Sequence, residues 1–205
     1  HEDRIADVQR LNIVTVPMHE LFEEITGRIP LKFVRKKDLQ YHDEHMISIA
    51  IYDFTSRMMD IFISGVALIL ALPFMPVLIL LIRLESSGPA FFSQKRTGQY
   101  GRTFKIHKFR SMIQNAEKKG KAVWASSTDP RITKIGYYLR KSRLDEFPQL
   151  WNILKGDMSL IGPRPERPEF VKKLKDQIVF YDQRHKVKPG LTGWAQVNFD
   201  YGDSI

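Results

Sequence analysis

The chain opens with a short apolar, β-branched run, LNIVTV (Leu11–Val16), whose composition suits a buried strand. Pro17 closes it, and MHELFEEITG then has the spacing of a short amphipathic helix stopped by Gly27. One strand and one helix cannot bury their own apolar faces, so residues 1–36 are expected to be the remnant of a domain begun upstream. The charged run RKKDLQYHDEH (Arg35–His45) reads as a linker, which places a linker at 37–46 and the start of a new unit near Ile47.

From Ile61 to Ile82, 22 consecutive residues carry no charge. A membrane helix needs about 20 apolar residues for a hydrocarbon core of roughly 30 Å, so the length criterion is met. The segment is internal and lacks a small-residue cleavage pattern, which excludes a signal peptide. Pro73 and Pro76 divide it into halves, 61–72 and 73–84, each about 18 Å long as helix. Neither half crosses the core alone. Each proline lacks a backbone donor, which frees the carbonyls of Ile69 and Leu72 at one bend. Prolines also kink true spans, so a kinked transmembrane helix and a re-entrant pair both stand. Positive-inside counting puts the Arg83, Lys95 and Arg96 side in the cytoplasm. A full span would then carry residues 1–60 outside the cell, whereas a re-entrant pair over 47–88 keeps both sides cytoplasmic. The second is the expectation.

Beyond it, PAFFSQKRTG (Pro89–Gly98) and RTFKIHKFRSM (Arg102–Met112) read as two extended segments around a Gly-containing turn. QNAEKKGKAVW is helical or loop. ITKIGYYLRKS (Ile132–Ser142) is an amphipathic helix, with Ile132, Ile135 and Leu139 on one face. LDEFPQLWNILKG is a second helix, ended by Gly156 as a left-handed cap. A third lies within Pro165–Arg184, apolar at Phe170, Leu174 and Ile178, and GLTGWAQVN follows as a Gly-punctuated strand or loop.

Charge sharpens this picture. The net +9 is uneven: residues 1–60 balance to −3 and residues 61–205 to +12. A basic domain directly after an apolar segment points to anionic headgroups, phosphorylated substrates or nucleic acid. No nucleic-acid recognition module is evident, so that partner is not expected. With no cysteine, disulfides and thiolate metal sites are excluded. There is no GxxxxGK[ST] and no GxGxxG, so nucleotide binding of those kinds is unsupported.

The densest chemistry lies in LRKSRLDEFPQLWNILKGDMSLIGPRP (Leu139–Pro165). Pro148 fits only where a backbone donor is unneeded, so Asp145 is expected at the helix N-cap with Pro148 in the first turn. Asp145 and Glu146 would then sit beside free N–H groups, a position that also attracts phosphate. Plain capping explains such a pair equally well. Carboxylates can also attack phosphoryl groups or hold Mg²⁺ together with substrate phosphates. Arg140, Lys141 and Arg143 lie upstream; the stiff GPRPERP loop presents Arg164 and Arg167. Lys95, Arg96, Lys108 and Arg110 form another phosphate-facing cluster or a solvated strand face. Adjacent helical carboxylates point about 100° apart, which disfavours a glycosidase.

The ordered run of apolar segment, FFSQKRTG, FKIHKFRSM, DPRITKIGYYLRKSRLDEFPQLWNILKGDMSLIGPRPE and KPGLTGWAQVN closely resembles the bacterial sugar transferase family, the monotopic phosphoglycosyl transferases. The resemblance covers roughly Ile47 to Asn198, and ITGRIPL more loosely resembles the tail of the Rossmann-like domain of longer members. It implies an α/β, mostly α, membrane-associated catalytic domain (89–205), with a re-entrant, proline-broken membrane helix, amphipathic interfacial helices and a few short strands. The implied reaction moves a sugar 1-phosphate from a nucleotide diphosphate sugar, usually a UDP-sugar, to polyprenol (undecaprenyl) phosphate, releasing UMP and initiating a surface glycan. Asp145 would be the nucleophile and Glu146 its dyad partner, both tentative ligands of Mg²⁺. Arg140 and Arg164 would hold phosphate or nucleotide groups. The implied setting is the cytoplasmic face of the bacterial inner membrane, with lipids as partners and a homodimer left open. Arg143 stands where members often carry a small hydroxyl residue, and Leu72-Pro73 where some have Ser-Pro. The chain is expected to be incomplete at both ends. A basic, membrane-tethered binding protein without catalysis is the rival reading.

Overall fold

The structure, a computed structural model, describes residues 18–26, 46–114, 116 and 129–198. The strand expected at Leu11–Val16, the linker at Arg35–His45 and most of QNAEKKGKAVW lie outside the described residues. The chain divides into two compact units, 1–50 and 51–205. In the first, helix α1 (Met18–Thr26) follows the amphipathic pattern of its sequence.

Helix α2 (Met46–Ala71) has 26 residues, and its Ala50–Ala71 portion is long and apolar enough to cross a membrane. It ends in a turn at residues 72–74, where Phe74 N–H donates to Ala71 C=O at 3.0 Å. Helix α3 (Met75–Glu85) has 11 residues and carries Pro76 in its first turn. The two helices are therefore unequal, not matched halves of twelve. Pro76 begins α3, where its missing donor is not needed, and Pro73 alone lies in the interruption. Side chains including Phe54, Phe62, Ile69, Phe74 and Leu84 are exposed along both helices, far more contiguous apolar surface than a soluble monomer displays.

Strands β1 (Phe91–Thr97) and β2 (Thr103–Phe109) pair antiparallel, Phe91 opposite Phe109 and Thr97 opposite Thr103. Alternation gives this hairpin two faces. Phe109 packs with Ile82, Ala90 and Leu139, flanked by Met75, Leu78 and Ile79 of α3. Ile106, on the opposite face, packs with Leu150, Ile153 and Met158, flanked by Phe104 and by Ala67 and Leu68 of α2. Helix α4 (Lys134–Lys141) begins at Thr133, whose hydroxyl accepts from Gly136 N–H at 2.9 Å. The Glu85 carboxylate accepts from the Lys134 and Ile135 N–H groups at 2.6 and 2.9 Å, so α3 supplies the rest of that cap.

Helix α5 (Gln149–Lys155) ends at Gly156, whose φ of 94° is the left-handed geometry its sequence predicts. Asn152 of α5 is 1% exposed and works as a surrogate strand. Its Oδ1 accepts from His107 N–H at 3.2 Å, and its Nδ2 donates to Lys105 C=O at 2.8 Å. The open edge of β2 is thereby paired.

Strands β3 (Ser159–Ile161) and β4 (Gly190–Thr192) are parallel. They approach closely: a Cβ on Gly190 would lie 2.1 Å from the Gly162 nitrogen. Helix α6 (Pro168–Gln177) lies between them in sequence and buries Phe170, Val171 and Leu174 against Tyr181. The Gly-punctuated end forms β4 and then a short helix, α7 (Trp194–Asn198), where the sequence suggested only strand or loop.

Asn152→Ala would strand a buried N–H and C=O at the β2 edge. It is expected to cost about 2–4 kcal/mol, seen as a lowered thermal unfolding midpoint; an unchanged midpoint would contradict the pairing role.

Candidate active site

The site is built where the chain crosses from one face of the hairpin to the other. Leu144 and Phe147 pack with the Phe109 cluster, whereas Leu150 and Ile153 belong to the Ile106 cluster. A 3₁₀ turn, Leu144–Glu146, entered through Arg143 at φ 60°, ψ 10°, lies on the Phe109 side just before this crossing. That left-handed geometry costs a non-glycine residue about 1 kcal/mol or more. It turns the chain two residues before Asp145.

This corrects the expected cap. Pro148, not Asp145, occupies the position before α5, and no side chain caps that helix. The reason is that the turn consumes the local donors. Glu146 N–H donates to Arg143 C=O at 3.1 Å, and Phe147 N–H to Leu144 C=O at 3.2 Å. Asp145 therefore owes its setting to the turn and to neighbouring cations.

Asp145 and Glu146 are only 7% and 6% exposed. One oxygen of Glu146, Oε1, accepts from Lys108 Nζ at 2.6 Å and from Arg164 Nη2 at 3.0 Å. Burial pushes the Glu146 carboxyl upward, but Lys108 and Arg164 outweigh it and hold it at about 2. Burial lowers the Lys108 ammonium against the opposing pull of Glu146. With two cations on one oxygen, Glu146 is the firmly ionised member of the pair. Asp145 is different. Burial raises its carboxyl, with Lys108, Arg140 and Arg143 opposing and Glu146 reinforcing the rise. Among the described residues no side chain or N–H hydrogen-bonds its carboxylate. The pair thus divides into an anchored carboxylate and an unengaged one.

The candidate residues separate by geometry. Lys108 and Arg96 lie on the Ile106 face of the hairpin and, with Gln149, Arg164 and Pro165, line a cleft beside the dyad. Arg96 donates to Pro165 C=O at 3.2 Å and to Gln94 Oε1 at 2.8 Å. Arg140, at the end of α4, acts on Asp145 through its charge. Lys95 is not brought in: it is exposed on the opposite face, across from Lys105. Nor is Arg110, because the strand ends at Phe109. Its guanidinium instead donates to the carbonyls of Ile82, Ser86 and Ser87 at 3.2, 2.6 and 2.8 Å, closing the end of α3.

Other residues went unread in the sequence. Arg184 donates to Arg164 C=O at 2.7 Å and to the Tyr181 hydroxyl at 2.6 Å, fixing the loop that carries Arg164. Arg57 donates to the carbonyls of Ile153 and Leu154, both at 2.6 Å, and Asp60 accepts from Leu160 N–H at 2.8 Å. Two charges in an apolar helix were a legible signal for those ties; a lone arginine in a polar stretch gave none for Arg184. For a metal, no group of three or more His, Cys, Asp or Glu occurs among the described residues. The unengaged Asp145 carboxylate, with the second oxygen of Glu146, fits Mg²⁺ held jointly by carboxylates and substrate phosphates.

Residues 51–205 match the family described as Bacterial sugar transferase. The chain is 43% identical over 195 residues to the UDP-N-acetylgalactosamine-undecaprenyl-phosphate N-acetylgalactosaminephosphotransferase of Aeromonas hydrophila, covering 94% of this chain and 45% of that protein. It is 43% identical over 194 residues to the UDP-glucose:undecaprenyl-phosphate glucose-1-phosphate transferase of Escherichia coli strain K12, covering 95% and 39%. The undecaprenyl-phosphate glucose phosphotransferase of Komagataeibacter xylinus is 37% identical over 206 residues, covering 98% and 37%. The chain spans less than half the length of each of these relatives.

The Glu146 anchoring has a pH signature. Its folded value lies below the ordinary 4.5, so its stabilisation is present above pH 4.5 and is lost as pH falls towards about 2. The shift corresponds to roughly 3 kcal/mol. Asp145 contributes with the opposite sign. Asp129, held at about 2 by hydrogen bonds from Arg131, cancels between variants. Unfolding of Glu146→Gln should therefore show a flatter acid limb than wild type; identical acid slopes would contradict the ion triad.

Proposed function

The chain belongs to the bacterial sugar transferase family, and on that premise we propose that it transfers a sugar 1-phosphate from a UDP-sugar to undecaprenyl phosphate. The reading rests chiefly on one observation, the unengaged, buried Asp145 beside a Glu146 anchored by Lys108 and Arg164. The relatives' names point the same way, since each is a transferase acting on undecaprenyl phosphate.

The proposed chemistry proceeds in two displacements. A carboxylate oxygen of Asp145 attacks the sugar-bearing phosphorus, forming a P–O bond to the aspartate as the phosphoanhydride bond breaks. UMP leaves with the bridging oxygen and its electron pair. A phosphate oxygen of undecaprenyl phosphate then attacks the same phosphorus and expels the Asp145 carboxylate. The product is a polyprenyl-diphosphate-sugar, the first intermediate of a surface glycan. An anionic nucleophile approaches an anionic diphosphate only where cations offset the repulsion. Lys108, Arg140 and Arg164 supply that field, with Arg96 further along the cleft. Glu146 holds Lys108 and Arg164 in register. When bound by Asp145 and Glu146, Mg²⁺ would add Lewis-acid neutralisation of the phosphate charge.

The membrane reading is re-entrant, at the cytoplasmic face of the inner membrane. Arg57 and Asp60 of α2 bond to residues 153, 154 and 160, and the end of α3 bonds to Arg110 and caps α4. The middle of α2 and the end of α3 are thus tied to one body. Only the eleven residues 61–71 of α2 follow Asp60, and α3 also has eleven, about 16 Å each at 1.5 Å per residue. Each is short of the roughly 30 Å core. This supports a hairpin whose turn at 72–74 is its deepest point.

Two measurements test the reading. With Mg²⁺, a panel of UDP-sugars and undecaprenyl phosphate, wild type should release UMP and Asp145→Asn should lose at least about 10³-fold in rate. Undiminished turnover in that variant would remove the nucleophile, and no UMP from any sugar would favour a binding protein. For topology, Glu24→Cys and Ser142→Cys in this cysteine-free chain should both resist an impermeant thiol reagent in intact spheroplasts and react after lysis. Labelling of Glu24→Cys before lysis would establish a full span.

A further inference from the structure

Helix α5 buries two amide side chains with opposite fates. Asn152 is 1% exposed and its amide is bonded at both ends, to Lys105 and His107. Gln149, three residues earlier, is 2% exposed, and its Nε2 has no partner among the described residues. A buried, unpaired donor weakens the fold unless something arrives to accept from it.

Gln149 lines the cleft formed with Arg96, Ile106, Lys108, Arg164 and Pro165. Lys108 and Arg164 are the same side chains that hold Glu146, so the cleft is one side chain away from the dyad. The charged groups on its wall are two guanidinium groups and one ammonium, each also in contact with a carboxylate, Arg96 with Glu166 and Lys108 and Arg164 with Glu146. All three are donors that cannot accept. A ligand matching this wall is an acceptor of hydrogen bonds carrying negative charge, which is the description of a phosphoryl oxygen.

We propose that Gln149 is a substrate-contacting residue whose Nε2 donates to a phosphoryl oxygen seated in this cleft between Arg96, Lys108 and Arg164. The inference rests on the phosphosugar-transfer reading for the identity of the ligand. Two phosphates share this chemistry, that of the nucleotide donor and that of undecaprenyl phosphate. Neither is favoured by the wall alone, and the experiment separates them.

Gln149→Met keeps the length and removes the amide. Its unfolding midpoint should equal or exceed that of wild type, because an unpaired polar group has gone. Inorganic pyrophosphate should raise the wild-type midpoint and raise that of the variant less. The variant's kcat/KM should fall about 10- to 100-fold, the loss expected for one hydrogen bond to a charged group. A reduced UMP burst without acceptor assigns the oxygen to the nucleotide donor. An intact burst with slowed transfer and a raised KM for undecaprenyl phosphate assigns it to the acceptor. Gln149→Glu, which puts an anion at the same place, should lose pyrophosphate protection and more activity than Gln149→Met. The proposal is overturned if both variants match wild type in burst, transfer and protection. It is equally overturned if Gln149→Met lowers the midpoint while leaving kcat/KM per folded molecule unchanged, which would mark a packing residue. Absence of UMP release by wild type would remove the functional reading instead, and pyrophosphate protection would still decide the role of Gln149.

Discussion

Two cations meeting on one oxygen of Glu146 hold this structure's site together. Lys108 comes from the hairpin, Glu146 from the 3₁₀ turn and Arg164 from the loop after β3. These segments are far apart in sequence, and no apolar cluster contains all three. Bringing such charges out of water is costly, and the loss of one partner would leave the others buried and uncompensated. The triad is therefore a poor choice for stability alone. Its effect is positional: it holds Lys108 and Arg164 beside the dyad while keeping the Glu146 carboxylate occupied.

The same logic extends outward through polar ties. Arg184 fixes the carbonyl of Arg164, and the close approach of Gly162 to Gly190 fixes the start of that loop. Arg57 holds the far end of α5, whose N-terminal side follows the dyad. Arg110 and Glu85 join α3 to the hairpin and to α4, the helix that carries Arg140. An apolar helix pair is thus fastened to the body that carries the dyad by hydrogen bonds of defined geometry.

Much of this was legible along the chain where the signal is local. The hairpin, α4, α6 and the Gly156 cap follow from periodicity and backbone chemistry within a few residues. What escaped depends on distant partners. Asp145 reads as a cap until Leu144 and Phe147 dock on the Phe109 cluster and force a tight turn through Arg143. Lys95 and Arg96 look alike in sequence but alternate onto opposite faces. Arg110 seems to continue the face of Lys108, but the strand has already ended and its guanidinium turns to α3. Pro76 reads as a breaker because it sits in an apolar run, whereas a helix start one residue earlier, at Met75, makes it harmless. Asn152 gave no signal at all, since an edge-pairing amide is visible only against the edge it pairs.

The central claim is that the anchored Glu146 leaves its neighbour as the attacking group. Its most direct test is to incubate wild type with its UDP-sugar in the absence of undecaprenyl phosphate, quench rapidly, and map the added mass by peptide mass spectrometry. The account predicts one sugar phosphate on the peptide containing Asp145, localised to that residue and discharged when undecaprenyl phosphate is added. A sugar phosphate on Glu146 would contradict it, as would product formation with no covalent species at any time.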